Sequence, residues 1–194
     1  METRQQLESQ EQDRQQSTPS NRSKVTLVPY VGIDGDWILS EDFLDGIFDK
    51  IVDQNLLKTT FWEEGVTDPS QFVKMMRNPQ NQPVLFFEET NCVGFAWMSG
   101  LSSNYGFAHF CLFREVWGRN SREIGLDTLD YWFSWPGANG PLLDVIIGIM
   151  PGFNVRAHKY IEGLGMTRLG IIPGMFRDAS REQDDAVIYY KTRE

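Results

Sequence analysis

Beyond residue 24, short apolar runs alternate along the chain with segments whose apolar residues recur every three or four positions. The first kind marks buried strands and the second amphipathic helices. Val25-Thr26-Leu27-Val28-Pro29-Tyr30 predicts a first strand. Ser40 then stands as a helix cap ahead of one apolar stripe, Phe43, Leu44, Ile47, Phe48 and Ile51. A second helix opens at Asp68-Pro69, a capping carboxylate with Pro at the first helical position. Gln71 is placed to close a capping box, and Phe72, Met75 and Met76 form the core side. Pro83–Glu88, Cys92–Leu101 and Tyr105–Phe113 read as three strands separated by turn residues at Asn91 and Ser102–Asn104, an antiparallel meander.

A helix within Ser121–Trp135 carries apolar residues on more than one face (Ile124, Leu126, Leu129, Tyr131, Trp132, Phe133, Trp135), which predicts that it is largely buried. Pro136–Pro141 stops it, and a buried strand, Leu143–Ile149, follows and ends before Pro151-Gly152. Asn154 caps the next helix, whose stripe is Ala157, Tyr160, Ile161 and Leu164. Gly165 ends it with left-handed backbone that side chains resist. Met166–Ile172 is predicted as a strand, Pro173–Gln183 as a polar loop and Ala186–Lys191 as a closing strand. The order β, α, α, β, β, β, α, β, α, β, β predicts an α+β (mixed α/β) fold: a central mixed, mostly antiparallel twisted sheet with helices on both faces.

Composition narrows the picture. The 194 residues, 41% of them apolar, suit one domain with a substantial core, assigned to residues 24–194. Residues 1–23 are nearly devoid of apolar side chains. They are expected to form a disordered polar arm that stays solvated or orders on a protein partner. No apolar run approaches the ~20 residues of a membrane span, and the Gln-rich start lacks the apolar stretch of a secretory signal. The expectation is no membrane contact and a cytoplasmic location. A net charge of −9 argues against non-specific nucleic-acid binding. Cys92 and Cys111 fall in strands as two small buried hydrophobes, and the absence of metal-type Cys/His spacing predicts no metal site.

Asn154-x-x-Ala157, the apolar stripe and Leu164-Gly165-Met166 resemble the closing motif of the GCN5-related N-acetyltransferase (GNAT) superfamily, and the element order resembles that family from about residue 24 to 193. The resemblance implies an acyl-CoA-dependent N-acyltransferase. Acetyl-CoA is the expected co-substrate, and an amine of a small molecule or protein the acceptor. It implies that strand four (Phe107–Phe113) and strand five (Leu143–Ile149) splay apart, so that the pantetheine arm pairs with exposed backbone. Strand-four N–H groups would polarise the thioester carbonyl. The pyrophosphate would lie at a helix N-terminus, where unpaired N–H groups and the helix dipole favour an anion. Cofactor contacts then fall to Phe110, Cys111, Leu112, Arg119, Asn120, Ser121, Arg122, Gly125, Asn154 and Ala157.

The sequence departs from the family twice. Aligned on Ile124-Gly125, the two small positions of the phosphate loop become Ser121 and Glu123, and Glu123 adds a negative charge. Arg119 and Arg122 either offset it by phosphate pairing or simply begin a solvated helix. The family's acid, a Tyr seven residues after the Asn, falls on Ile161. Tyr160 lies one residue earlier, about 100° round the helix, and either reaches the thiolate or joins the buried stripe. His109, beside the implied acetyl site, is a general base or a core histidine. His158 is expected at the surface. Glu88, Glu89 and Glu115 stand as unranked bases acting through water. The candidate catalytic pair is His109 and Tyr160. The Thr59–Glu64 loop, with aromatics beside acids, is a substrate rim or a staple between two helices. The acidic balance fits a cationic substrate.

A second expectation is a chain of this fold with lost or reduced catalysis that serves as an interaction or assembly component. The run Ile149-Met150-Pro151-Gly152-Phe153-Asn154 is also similar to acetyltransferase-like proteins encoded by tailed bacteriophages, which implies a virion-associated location as the alternative to the cytoplasm.

Overall fold

Strand β1 (Val25–Pro29) pairs antiparallel with β2 (Gln82–Glu88), β2 with β3 (Asn91–Ser99) and β3 with β4 (Tyr105–Leu112); β2, β3 and β4 are the predicted meander, and β1 adds to its edge. β4 then runs parallel to β5 (Val145–Pro151). The last strands, β6 (Thr167–Arg177) and β7 (Gln183–Thr192), are antiparallel, and β7 slots between β5 and β6. The sheet order is therefore β1-β2-β3-β4-β5-β7-β6. This is a computed structural model that describes residues 25–33, 36–62, 65–177 and 183–194. The expected polar arm, 1–23, and the acidic end of the 59–64 loop lie outside the described residues.

Alternation along the strands sends side chains to two faces, and each face has its own core. One face carries Leu85, Phe95, Trp97, Cys111 and Phe113 under helices α1 (Glu41–Asp53) and α2 (Pro69–Met76). The other carries Val84, Phe86, Ala96, Met98, Ala108 and Ile146 under α3 (Ser121–Phe133) and α4 (Val155–Gly163). The three cap bonds form as predicted, because each is local, but Gln71 does not close the box on Asp68: its Oε1 accepts from Thr67 N and Oγ1 instead. Ser40 Oγ accepts from Phe43 N, Asp68 Oδ1 from Gln71 N and Asn154 Oδ1 from Ala157 N. Cys92 and Cys111 are buried and free. Among the described residues no helix is long and apolar enough to cross a membrane.

Three elements differ from expectation. The buried residues of α3 (Ile124, Gly125, Thr128, Leu129, Trp132, Phe133) form one stripe, while Arg122, Glu123, Asp127 and Asp130 are exposed, so the helix is half-buried rather than largely buried. β6 continues to Arg177 through the segment predicted as a polar loop. Pro173 and Gly174 (φ 61°) make an irregularity inside it, and Phe176 rejoins the ladder opposite Asp184. A proline is tolerated there because β6 is the sheet edge, where an N–H facing away from β7 has no strand to bond. His158 is half-buried rather than at the surface. Its Nε2 lies 3.0 Å from Pro151 O and its Nδ1 3.3 Å from the Tyr189 hydroxyl, which ties the first turn of α4 to the end of β5.

Candidate active site

β4 and β5 pair through only three positions, Tyr105↔Val145, Gly106↔Ile146 and Phe107↔Ile147. Past Phe107 they diverge. β4 stays bonded to β3, and β5 to β7 as far as Pro151, so the edges that face each other across the opening, 108–112 and 148–151, have no strand partner. α4 stands across this opening. Ile161 seats on Gly148 of β5, where a Cβ would lie 2.8 Å from its Cδ1, and Tyr160 meets Phe110 of β4 edge-on at 6.0 Å. A cavity of about 490 Å³ fills the V.

Of the predicted site residues, His109, Phe110, Cys111, Leu112, Ser121, Asn154, Ala157 and Tyr160 come together on the wall of this cavity. Arg119, Asn120, Arg122 and Gly125 do not. Arg119 donates to both Glu88 oxygens (2.9 and 2.7 Å) and Asn120 Nδ2 to Glu88 Oε1 (2.8 Å), which fastens the loop before α3 to the end of β2. Arg122 Nε donates to Gly163 O at 3.2 Å, across to the C-terminus of α4. Gly125 is buried where the two helices cross, because a Cβ there would meet the Tyr160 hydroxyl at 2.4 Å and the Leu164 methyls at 2.6 and 2.7 Å. The carboxylates weighed as bases are away from the cavity wall too. Glu88 holds Arg119, Glu115 pairs with Lys50 at 2.5 Å, and Glu89 sits in a left-handed turn (φ 56°).

The catalytic candidates sit in contrasting surroundings. His109 stacks on Trp97 and places Nε2 2.8 Å from Ser99 Oγ, and desolvation by burial lowers its pKa to about 4. It is neutral at pH 7, but a weak base. Tyr160 donates to Ser121 O at 3.0 Å, and burial raises its pKa well above the ordinary phenol value, so it keeps its proton.

Sequence reasoning missed the Arg114–Trp117–Arg156 group. The guanidinium carbons of Arg114 and Arg156 lie 5.0 and 5.1 Å from the Trp117 ring, within cation–π range, and all three residues line the cavity. Arg114 is held by Nε and Nη2 bonds to Gln54 O, and Trp117 by its Nε1–H to Leu112 O. Nearby, Asn120 does not cap α3 with its side chain, whereas side chains cap α1, α2 and α4; the short helix Leu57–Thr60 has no side-chain cap either. The α3 N-terminus, beside Ser121, is thus open to an anion.

A second cavity of about 370 Å³ lies alongside, walled by Phe61, Trp62, Val66, Lys74, Met75 and Trp97 among others. Thr60, Trp62 and His109 belong to both walls, so the two spaces adjoin at these three side chains. The 59–62 segment is therefore rim and packing at once. Phe61 fills the core against Phe72 and Trp97, while Trp62 reaches the rim and packs on Phe176 of β6. Among the described residues no group of three or more His, Cys, Asp or Glu is placed to hold a metal ion.

A sheet that opens between a parallel β4–β5 pair, with α4 across the opening, is the architecture of the GCN5-related N-acetyltransferases, and the comparison with solved structures bears this out. Spermidine N-acetyltransferase from Vibrio cholerae, solved with CoA and spermine, superposes with a TM-score of 0.67 at 17% identity, over 88% of this chain and 96% of that one. The microcin C7 self-immunity acetyltransferase MccE, solved with acetyl-CoA and AMP, gives 0.66 at 13% identity over 89% and 94%. The Salmonella typhimurium acetyltransferase that modifies the N-terminal serine of ribosomal protein L7/L12 gives 0.70 at 10% identity over 89% and 96%. No family model matches the sequence, and no curated protein does. The chain has the GNAT fold.

Proposed function

We propose that this protein is an acyl-CoA-dependent N-acyltransferase that passes an acetyl group from acetyl-CoA directly to an amine. The observation that carries the reading is the half-paired β4–β5 junction, which leaves two strand edges open onto a long cavity. A chain bearing amides fits there as an added strand, bonding through the backbone while apolar walls such as Leu56 and Ile149 exclude water. Arg114, Arg156 and the uncapped start of α3 supply the positive potential that a pyrophosphate requires. The residues present therefore fit acetyl-CoA, and two of its neighbours in fold were solved with CoA or acetyl-CoA.

The acceptor amine arrives through the second cavity and meets the thioester where the two spaces join, beside His109 and Thr60. The main contribution there is proximity. The uncharged amine attacks the carbonyl carbon, the N–C bond forms and the C–S bond breaks. Open-edge N–H groups of β4 stabilise the charge on the carbonyl oxygen. His109, neutral and held by Ser99, orients the amine without deprotonating it, and the amine's surplus proton leaves to water. Tyr160, kept protonated by burial, gives its proton to the departing sulfur as the C–S bond breaks, when its hydroxyl turns from Ser121 O, and the phenolate, which burial disfavours, takes back the amine's surplus proton through water.

Calorimetric titration with acetyl-CoA tests the reading, followed by thiol release with an amine panel. A micromolar response and saturable thiol release are expected, and no heat at millimolar acetyl-CoA overturns the proposal. A second reading, binding with little turnover in an interaction or assembly role that includes association with a virion, draws on one observation: neither His109 nor Tyr160 titrates near neutrality. Tight acetyl-CoA binding without thiol release from any amine would select it.

A further inference from the structure

Resting on the acyltransferase reading, we propose that the acceptor is an amine carrying an apolar body and a carboxylate, and not a polyamine. The walls of the second cavity supply the argument. Its body is aromatic and thioether surface from Phe61, Trp62, Trp97 and Met75, which suits an apolar group. Two of its three side-chain amides have their oxygen already occupied. Gln71 Oε1 already accepts from Thr67 N and Oγ1 (2.7 and 2.9 Å), which leaves its amide N–H groups. Asn78 Oδ1 accepts from Gln80 N at 2.9 Å, which leaves its N–H groups as well. Asn81 is the counterexample, because its Nδ2 is committed to Met75 O and its oxygen remains.

Lys74 adds an ammonium, and no Asp or Glu among the described residues lines this cavity. A donor set with one cation recognises a carboxylate. A polyamine brings two or more ammonium groups, which need acceptors or anions and would instead face Lys74. The net charge of −9 draws cations toward the protein from a distance. Salt screens that pull over about 10 Å, so the groups inside the cavity decide what binds. A space of about 370 Å³ takes a small molecule or the first residues of a peptide.

The experiment measures kcat/KM for matched acceptors at saturating acetyl-CoA. Phenylalanine is set against phenethylamine, glycylphenylalanine against its decarboxylated counterpart, and spermidine is run beside them. The carboxylated member of at least one pair should lead by about tenfold, the scale of one charge-assisted hydrogen bond. Lys74→Glu should erase that ratio. Lys74 is exposed, so the variant should fold. Spermidine as the preferred acceptor overturns the proposal, most directly if Glu63→Gln with Glu64→Gln abolishes its turnover, and so do equal rates within both pairs. Failure of acetyl-CoA to bind removes the acyltransferase reading alone. The cavity is then probed by calorimetry of glycylphenylalanine with the free protein: heat that Lys74→Glu removes supports the assignment, and no heat at millimolar peptide overturns it.

Discussion

His109 lies flat against Trp97, with ring centroids 4.4 Å apart and planes 5° from parallel, as direct partners across the β3–β4 ladder. The indole removes water from one side of the imidazole, and the lost hydration disfavours the charged form, so the pKa falls to about 4. An ammonium cannot give its proton efficiently to so weak a base, which is why the role proposed for His109 is to orient the amine and not to deprotonate it.

That pKa sets a pH window for stability. The unfolded histidine titrates near 6.5. Above that value neither state carries the proton, and His109 adds no pH dependence. As pH falls from about 6.5 to 4, the unfolded chain takes up a proton that the folded chain refuses. The fold should lose up to about 3 kcal/mol over this window. Urea midpoints at pH 7 and pH 4.5 should therefore separate more for the wild type than for His109→Gln. Equal separations would mean that the imidazole is hydrated in the fold. In thiol release, His109→Gln should lower kcat/KM without moving the acid limb of the pH profile, and a limb near pH 6.5 that the variant abolishes would instead mark a general base.

Tyr160→Phe separates two roles of one hydroxyl. As a tie between α4 and α3, its bond to Ser121 O contributes about 1 kcal/mol, so Tm should fall by a few degrees. As the proton donor to the thiolate it contributes to kcat, and removing a positioned acid costs about 10²-fold or more. The expected outcome is a small loss of Tm, an unchanged acetyl-CoA Kd and a large fall in kcat. A variant that keeps kcat within about threefold would leave the hydroxyl a purely structural role.

What was legible in the sequence was mostly what short-range chemistry decides. Ser40, Asp68 and Asn154 could be named as caps because each bond spans three residues. The meander was legible from apolar runs broken by turn residues. The opening between β4 and β5 was anticipated through the family resemblance, since nothing local in Ala108–Leu112 says that its partner turns away. Pro173 read as a breaker because a local pattern does not reveal that its strand is an edge. Arg119 looked available for phosphate only while Glu88, on another strand, was unplaced. The Arg114–Trp117–Arg156 group was hidden for the same reason: it joins a loop and a helix that only tertiary packing brings together.

Gly125→Ala pits two effects of similar size. Alanine favours a helix interior over glycine by up to about 1 kcal/mol. Against this, the new methyl would overlap both Leu164 methyls and the Tyr160 hydroxyl, and neither neighbour moves freely: Leu164 is buried and Tyr160 is bonded to Ser121. Overpacking of that kind costs about 1–3 kcal/mol. The net should be destabilising, with Tm lower by several degrees in a thermal melt followed by circular dichroism. A raised Tm would show that α3 and α4 pack more loosely than their crossing implies.

Arg119 and Arg156 look alike in sequence, and the structure gives them opposite behaviour. Arg156 lines the cavity beside Trp117, and among the described residues no carboxylate pairs with it, so its charge is available to an anion. Arg156→Ala should weaken acetyl-CoA binding about five- to tenfold, in line with the loss of one charge-assisted contact. The weakening should shrink as salt is raised, because screening already reduces the wild-type attraction. Arg119 is committed to Glu88, whose side chain is only 15% exposed and would keep just Asn120. Arg119→Ala should therefore show itself in stability. The loss should be no more than about 1 kcal/mol, because the arginine itself is 53% exposed and solvent screens the pair. Its acetyl-CoA affinity should stay within about twofold of wild type. Calorimetry at two salt concentrations on both variants, with a thermal melt of each, checks the contrast. If Arg119→Ala loses the affinity and Arg156→Ala keeps it, Glu88 releases Arg119 when acetyl-CoA binds, and the phosphate contact lies in the loop before α3 and not on α4.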